Sequence, residues 1–468
     1  MLVRVHEIQE QRQQDQEDVL YLTADLLRRL KGHRSPIVLA CGRRSVSVTA
    51  ALWQHDEPEP FMGISPKLRR TLFLPRNIHV HIKSLPDCMG WQLGPVIAVL
   101  TSRNPHDGTM MSPDYNCRLV DRGLAKGLLT FLLIAEEMQT QKDFVWGYFP
   151  ERTPAGRTFW RRRKCPFPQI IYNRIPNRRL EMSVSRTLDA LERCGDVTLI
   201  NSCFFDKWQV YRMLSKQPFS AQHLPQTVRY RGPDRVRRLL KQCSKVYLKP
   251  VEGSKGMGII RIQKTRGLWR MAHIHDHDFR TQIFRRWSEV SFELEDLIGD
   301  QPYIIQTAVP LARWKGVPFD IRVSVQKNRF AAWEVAGAGA KLAMRGGIAT
   351  HLINGGKLLP LSEALETAFP GQAGEKEAQL LDMVIRCSDD LERAWGQPLI
   401  ELGWDIGIDQ QGHFWILECN SKPGRVIFRL ESLREADQRA VDGLLESMQS
   451  MAGFALEGKI LQTAGAIS

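Results

Sequence analysis

Residues 403–425 read GWDIGIDQQGHFWILECNSKPGR. Two alternating runs flank DQQG, so the stretch reads as a β-hairpin with a four-residue loop, Asp409 to Gly412. On the return strand Phe414, Ile416, Glu418 and Asn420 fall on one face. Trp415, Leu417 and Cys419 fall on the other, where Cys419 packs as an apolar residue. That loop length places Asp405 opposite Ile416, on the face of Glu418 and diagonal to it. A three-residue loop would turn Asp405 to the wrong face. Two carboxylates and an amide oxygen thus converge, and such hard donors suit Mg²⁺. The bland alternative is a solvated hairpin. The apolar Trp415, Ile416 and Leu417 argue instead for burial, where unpaired carboxylates are costly.

A magnesium site of this kind asks for phosphate-binding parts elsewhere. Residues 245–264, KVYLKPVEGSKGMGIIRIQK, read as strand, glycine loop, strand. Gly253, Gly256 and Gly258, with Ser254 among them, let backbone amides approach phosphate oxygens. No GK[ST] follows, so this is not a Walker A loop. No helix follows, so it is not a dinucleotide turn either. Lys249, closing the incoming strand, supplies a point charge. The apolar strand Tyr303 to Gln306 is placed to line a base. In PFDIRV, Arg322 is placed to reach an anionic substrate or a terminal phosphate. Lys207, opening a helix in FFDKWQVYRML, is a second candidate cation; an exposed first-turn lysine reads equally well there.

The chain of 468 residues is 43% hydrophobic and 25% charged, with net charge +14 and nine scattered cysteines without a CxxC pair. Length predicts two to four domains. The cysteine pattern argues against a disulfide framework or thiolate zinc and for a reducing cytoplasm. No run of about 18 apolar residues suggests a membrane span, and the N-terminal residues turn polar too early for a signal peptide. The positive charge favours acidic partners.

Residues 16–31 carry Val19, Leu22, Leu26, Leu27 and Leu30 at helical spacing, predicting an amphipathic helix. Short runs between 36 and 100 (SPIVLACG, RSVSVTAAL, TLFLPR, NIHVHIK) predict a small β-rich domain. From about 95 to 200 strands alternate with helices, RGLAKGLLTFLLIAEEMQ and SVSRTLDALERCG being read as the helices. That alternation predicts an α/β unit with a partly parallel sheet. The stretch after 430 reads as one helix.

The order DK before a helix, YLKP with a glycine loop, an apolar linker, DIR, then D…ExN…PG resembles the ATP-grasp superfamily. LGPVIAVLT, IIYNRIPNRRLE, LKPVEGSKGMGIIRI and ELGWDIGIDQQGHFWILECNSKPGR are similar in wording to the YheC/YheD family of endospore coat-associated proteins. The resemblance runs from about residue 90 to 430. It implies an α+β fold of two lobes gripping ATP, over 201–435. An α/β pre-ATP-grasp domain (93–200) and a β-rich domain (1–92) would precede it, and a helix and tail (436–468) would follow. It implies that Lys207, Lys249 and the glycine loop hold the phosphates, with Gln306 and Val309 beside the nucleoside. Asp405, Glu418 and Asn420 would hold two Mg²⁺ ions, Mn²⁺ being an alternative. Ser421, Gly424 and Arg425 would face the acceptor substrate. Arg322, Lys249 and Asn420 would act in catalysis. The implied reaction activates a carboxylate as an acyl phosphate and joins it to an amine. Substrate expectations are an acidic small molecule or peptide, with spore coat proteins as partners and no membrane or nucleic acid. The competing expectation is a coat-associated protein that binds nucleotide without turnover. Gln306 departs from the acidic residue many relatives carry there, and the ribose-binding acid has no match.

Other signals are set aside. His273, His275 and His277 in MAHIHDHDF have metal-like spacing but read as an exposed loop. His79 and His81 read as a polar strand face. Arg161 to Lys164, beside Trp160, read as a solvated basic run or as a contact for an acidic peptide or nucleic acid. Asn173 and Arg174 close an apolar strand and read equally as cleft residues or as a strand-end turn.

Overall fold

The computed structural model describes all residues except 9–18, 31–35, 87–88, 105, 155–157, 194, 254–255, 276–277, 344–356 and 455–468. These residues group into two compact units. The first comprises 1–202, 328–331 and the C-terminal residues from 441; the second comprises 203–327 and 332–440. No described helix is long and apolar enough to cross a membrane.

The first unit holds a closed seven-stranded barrel built from strands between Leu2 and Gly94. Closure leaves no free edge in so small a sheet. The helix expected over 16–31 is shorter than its periodicity suggests. Val19–Leu22 is a strand, parallel to Arg44–Leu52 and antiparallel to Phe61–Ile64, and among the described residues of that stretch only Ala24–Arg29 is helical. Leu20, Leu22, Leu26 and Leu30 are all buried, so one apolar set serves both elements. TLFLPR forms no strand: it lies at the end of the helix Pro66–Thr71 and in the turn after it.

Beside the barrel, in the same unit, lies a six-stranded sheet. Four strands, Leu129–Ile134, Val96–Thr101, Ile170–Asn173 and Thr198–Ile200, run parallel in that order. Phe144–Arg152 and Thr158–Pro166 extend it as an antiparallel hairpin. RGLAKGLLTFLLIAEEMQ is not one helix. The helix Pro113–Ala125 ends, Gly127 turns at φ +73°, and Leu129–Ile134 is a strand buried at every position. A parallel strand covered on both faces is apolar throughout and loses the alternation that marks a strand. Asn173 closes its strand as a lock. It is fully buried, with Nδ2 donating to Ser202 O (2.7 Å) and Glu181 Oε1 (3.2 Å) while Oδ1 accepts from Ile175 N–H. That settles its reading as strand-end structure.

The second unit contains two further sheets. The first is six-stranded, ordered Thr227–Arg229, Tyr303–Thr307, Lys245–Pro250, Ile260–Thr265, Leu268–His275 and Asp278–Phe284. Its core packs Val246, Leu248, Ile260, Ile262 and Met271 against Val236 and the helix Trp287–Ile298. His273 and His275 therefore lie on a strand rather than in a loop, while His277 falls outside the described residues. The second sheet runs Lys357–Pro360, Trp333–Leu342, Val317–Lys327, Glu401–Ile408 and Phe414–Asn420, antiparallel throughout. One face of it is the unit's larger core: Phe319, Ile321, Val323, Trp404 and Ile406 pack against the helix Ala373–Trp395. Alternation along the strands leaves the other face to polar residues. The final helix among the described residues is Arg434–Met451.

Candidate active site

On the polar face of the second sheet, cross-strand pairing assembles a buried charge cluster. Arg322 lies opposite Asp405, and Asp320 opposite Lys341. Arg322 Nη2 donates to Asp405 Oδ2 at 2.9 Å and Lys341 Nζ to Asp405 Oδ1 at 2.6 Å. Lys341 also pairs with Asp320 at 3.2 Å. Burial pushes the Lys341 ammonium down, but Asp320 and Asp405 outweigh that and hold it above its ordinary value. Two cations thus balance two carboxylates, which is what lets all four leave water. Arg322 keeps two buried donors, Nε and Nη1, without a hydrogen-bond partner. Such donors are costly unless an acceptor arrives.

The hairpin brings Glu418 to this cluster by a route the sequence hides. Ile408 pairs with Phe414, so five residues, Asp409 to His413, form the loop, not four. Continued regularly, that register would put Asp405 opposite Leu417 and Glu418 on the core face. A bulge intervenes between Ile406 and Asp405, with Leu417 as the extra residue. A bulge of one residue reverses the alternation beyond it. Asp405 therefore faces Glu418 directly, and Asn420 faces Gly403. The faces assigned from sequence change accordingly: Phe414 and Ile416 share the core with Cys419, while Glu418 and Asn420 lie opposite it.

Gly403 shows why the polar face is narrow there. A Cβ on it would lie 2.6 Å from Arg322 Nη1 and 2.6 Å from Pro423 Cβ. We predict that Gly403→Ala displaces the guanidinium and destabilises the protein by roughly 1–3 kcal/mol, the usual cost of overpacking. A urea midpoint equal to that of the wild type would refute this.

The first sheet of the unit contributes Lys249. Its Nζ donates to Gln306 Oε1 at 2.6 Å and reaches the carbonyl of the bulged Leu417 at 3.5 Å. Burial, aided by Lys207 and opposed by Glu418, pushes this lysine down to about 8. Lys207 opens the helix Lys207–Leu214, capped by Asp206, whose side chain accepts from Gln209 N–H at 2.8 Å. Its Nζ bonds the Gly253 carbonyl and lies 3.4 Å from Glu418 Oε1. Lys207 is therefore no exposed first-turn lysine: its side chain is 12% exposed. In the glycine loop Gly256 and Gly258 adopt φ of +76° and +71°, which only glycine takes readily. Tyr303 OH holds the loop by donating to Gly258 O at 2.9 Å.

The structure thus brings Lys207, Lys249, Arg322, Asp405, Glu418 and Asn420 together, with the glycine loop beside Lys207. Other expected residues are differently committed. Gln306 spends both ends of its amide, Oε1 on Lys249 and Nε2 on Thr227 Oγ1 (3.2 Å), so it orients the lysine, and its backbone lies between Thr227 and Tyr247 in the sheet. Val309 is half-buried in the segment after that strand, its carbonyl accepting from Leu311 N–H. Ser421 is buried and donates to Cys203 O at 2.7 Å. Arg425 is clamped by Asp437 at 2.6 Å and lies over the Phe428 ring. Both hold the chain in place rather than project to a substrate, whereas Gly424 is open. Ser254 lies outside the described residues. Lys341 and Asp320 are the additions. Lys341 is the one charge within the small-residue run AGAGAKL, and only long-range pairing reveals its partners.

Glu418, Asn420 and Asp405 suit a hard divalent cation by donor chemistry. Both oxygens of Asp405 already receive Arg322 and Lys341, so Glu418 and Asn420 carry most of that fit. Among the described residues no group of three or more histidine, cysteine, aspartate or glutamate side chains could hold a metal.

Residues 196–451 match the model of the YheC/D-like ATP-grasp family. The chain is 32% identical over 281 residues to the endospore coat-associated protein YheD of Bacillus subtilis (strain 168). That alignment covers 59% of this chain and 62% of YheD, so the chain spans less than two thirds of that relative's length. It is 24% identical over 272 residues to YheC of the same organism, covering 57% of this chain and 73% of YheC. Among solved structures, the D-cycloserine synthetase DcsG aligns at TM-score 0.45 and 14% identity, over 76% of this chain and 99% of its own. The D-alanine-D-alanine ligase of Coxiella burnetii aligns at 0.43 and 11%, over 76% and 96%. Likeness at that level does not say what this chain acts on. With the family model covering more than half of its length, the chain belongs to the YheC/D-like ATP-grasp family.

Proposed function

We propose that this protein is an ATP-dependent ligase that activates a carboxylate as an acyl phosphate and passes it to an amine. The observation that carries this reading is the convergence of Lys207, Lys249 and Arg322 on the Asp405–Glu418–Asn420 hairpin, with two buried Arg322 donors unspent. Phosphoryl transfer needs charge neutralisation and positioning more than covalent help. Lys249 and Lys207 orient the phosphates beneath the glycine loop. Arg322 Nε and Nη1 take the oxygens on which charge accumulates. Glu418 and Asn420, with Asp405, are the residues that would hold Mg²⁺, two ions being our expectation; the metal would supply charge neutralisation between the phosphates. The carboxylate oxygen attacks the γ-phosphorus and ADP leaves; the amine then attacks the acyl carbon and inorganic phosphate leaves. The net charge of +14 supports an acidic small molecule or peptide as substrate. Because YheD and YheC carry names tied to the endospore coat, we also propose a cytoplasmic protein linked to coat assembly.

One observation favours nucleotide binding without turnover: Asp405 is already neutralised by Arg322 and Lys341. Release of ADP and phosphate from Mg-ATP, with a panel of carboxylates and amines, separates the readings. We expect release that depends on an added carboxylate, and a drop of at least about a hundredfold in Glu418→Ala and Asn420→Ala, as for lost transition-state charge stabilisation. Tight ATP binding with release no greater than in these variants would favour the binding protein.

A further inference from the structure

The hairpin Phe144–Arg152/Thr158–Pro166 ends the six-stranded sheet of the first unit, and among the described residues Thr158–Pro166 pairs with a strand on one side only. Its sequence, TFWRRRKCP, puts charge on both faces of a free edge. Arg161 and Arg163 point to one face and share a single acid, Glu151, at 2.6 and 2.8 Å. Arg162 points to the other and pairs with Glu137 at 3.0 Å, an acid that also takes Arg103 at 3.3 Å. Each carboxylate thus answers two cations, and Lys164 adds another exposed charge. The three arginines remain about half exposed, so the surplus faces water.

The aromatic rings beneath are capped. Arg162 lies 4.3 Å and Lys164 5.8 Å from the Trp146 ring; Lys164 lies 4.8 Å and Lys142 5.4 Å from Phe144. Ring faces covered by cations offer little platform for bases, the main source of sequence-tolerant single-strand binding. A strand edge offers what a peptide needs: a row of backbone donors and acceptors with side-chain positions on two faces. Charges on an edge also guard it against self-pairing, yet one or two would do that, and here they run unbroken from Arg161 to Lys164.

We infer that Thr158–Lys164 docks an extended acidic peptide segment by strand addition, with Arg161 and Arg163 on one face and Arg162 and Lys164 on the other reading its carboxylates. This surface belongs to the first unit, whereas the residues of the candidate active site belong to the second.

The test uses the full chain and a fluorescent nine-residue peptide of alternating Glu and Val, followed by anisotropy at low and high salt. We expect saturable binding that weakens with salt, and weakens about tenfold or more when Arg161→Glu and Arg163→Glu are combined, as like charges are brought together. Glu151→Gln, which frees both arginines, should tighten binding severalfold, an effect no folding defect can imitate. N-methylation of one alternate set of peptide amides should weaken binding and of the other set should not, because a docked strand turns alternate amides toward its neighbour. Tighter binding of an oligothymidylate of equal charge would overturn the proposal in favour of nucleic acid. It would equally fail if the peptide did not bind at low salt, if Glu151→Gln left affinity unchanged, or if both N-methylated sets bound like the parent.

Discussion

Asp405→Asn should lower the stability of the protein by about 3–5 kcal/mol, the range for breaking a buried pair from one side. Asp405 is 5% exposed and receives Arg322 on one oxygen and Lys341 on the other. Asparagine keeps the shape and removes the charge, leaving two buried cations to Asp320 alone. Urea denaturation monitored by tryptophan fluorescence reads the loss directly. A second substitution, Lys341→Met, should recover part of it, because it removes the surplus cation and substitutes an apolar chain of similar length. Glu418→Gln provides the contrast. Its side chain is 20% exposed and its link to Lys207 is long, at 3.4 Å. Its cost in stability should stay under about 1 kcal/mol, while ATP turnover collapses. Equal midpoints for Asp405→Asn and Glu418→Gln would show that the buried quartet is not the stabilising unit described.

Lys249→Met should move stability the other way while removing phosphate affinity. With its ammonium pushed from 10.5 to about 8 by burial, Lys249 costs the folded state about 3 kcal/mol whenever it is charged. Between pH 8 and 10.5 the unfolded chain holds more protons at this position than the folded one, so stability from this group rises with pH across that window. Below pH 8 the full cost applies; above 10.5 it is gone. The melting temperature of Lys249→Met should therefore exceed that of the wild type at pH 7, and the gap should close as pH rises toward 10.5. Nucleotide phosphates reverse the balance by favouring the charged lysine. ATP binding at pH 9 should then take up protons in the wild type and fewer in Lys249→Met, which calorimetry in buffers of different ionisation enthalpy resolves. A gap that widened with pH would contradict the assignment.

Both predictions rest on residues of unequal legibility. The glycine loop and its two strands were readable because turn residues and alternation agree over residues 245–264. Arg322 was readable from DIR, but its partner Lys341 was not, because nothing local ties a lysine at 341 to an aspartate at 405. The convergence of Asp405 and Glu418 was anticipated through a register the molecule does not use. Trp415, Ile416 and Leu417 are all apolar, so no change of pattern marks the residue that leaves the ladder. Leu129–Ile134 failed for a related reason: burial on both faces erases period two. Ser421 and Arg425 had the right chemistry for a substrate contact. Their commitment to Cys203 and Asp437 depends on chain segments far away in sequence.

The bulge at Leu417 also separates two demands that a regular hairpin would fuse. Loop-side of it, Ile406, Ile408, Phe414 and Ile416 answer to the apolar core they belong to. Beyond it, Asp405, Glu418 and Asn420 keep their own phase. The loop Asp409–His413 and the apolar end of the hairpin can therefore diverge or be grafted as a cassette, provided the extra residue stays. Heritable variation in the scaffold and constancy in the chemistry become compatible within a single pair of strands.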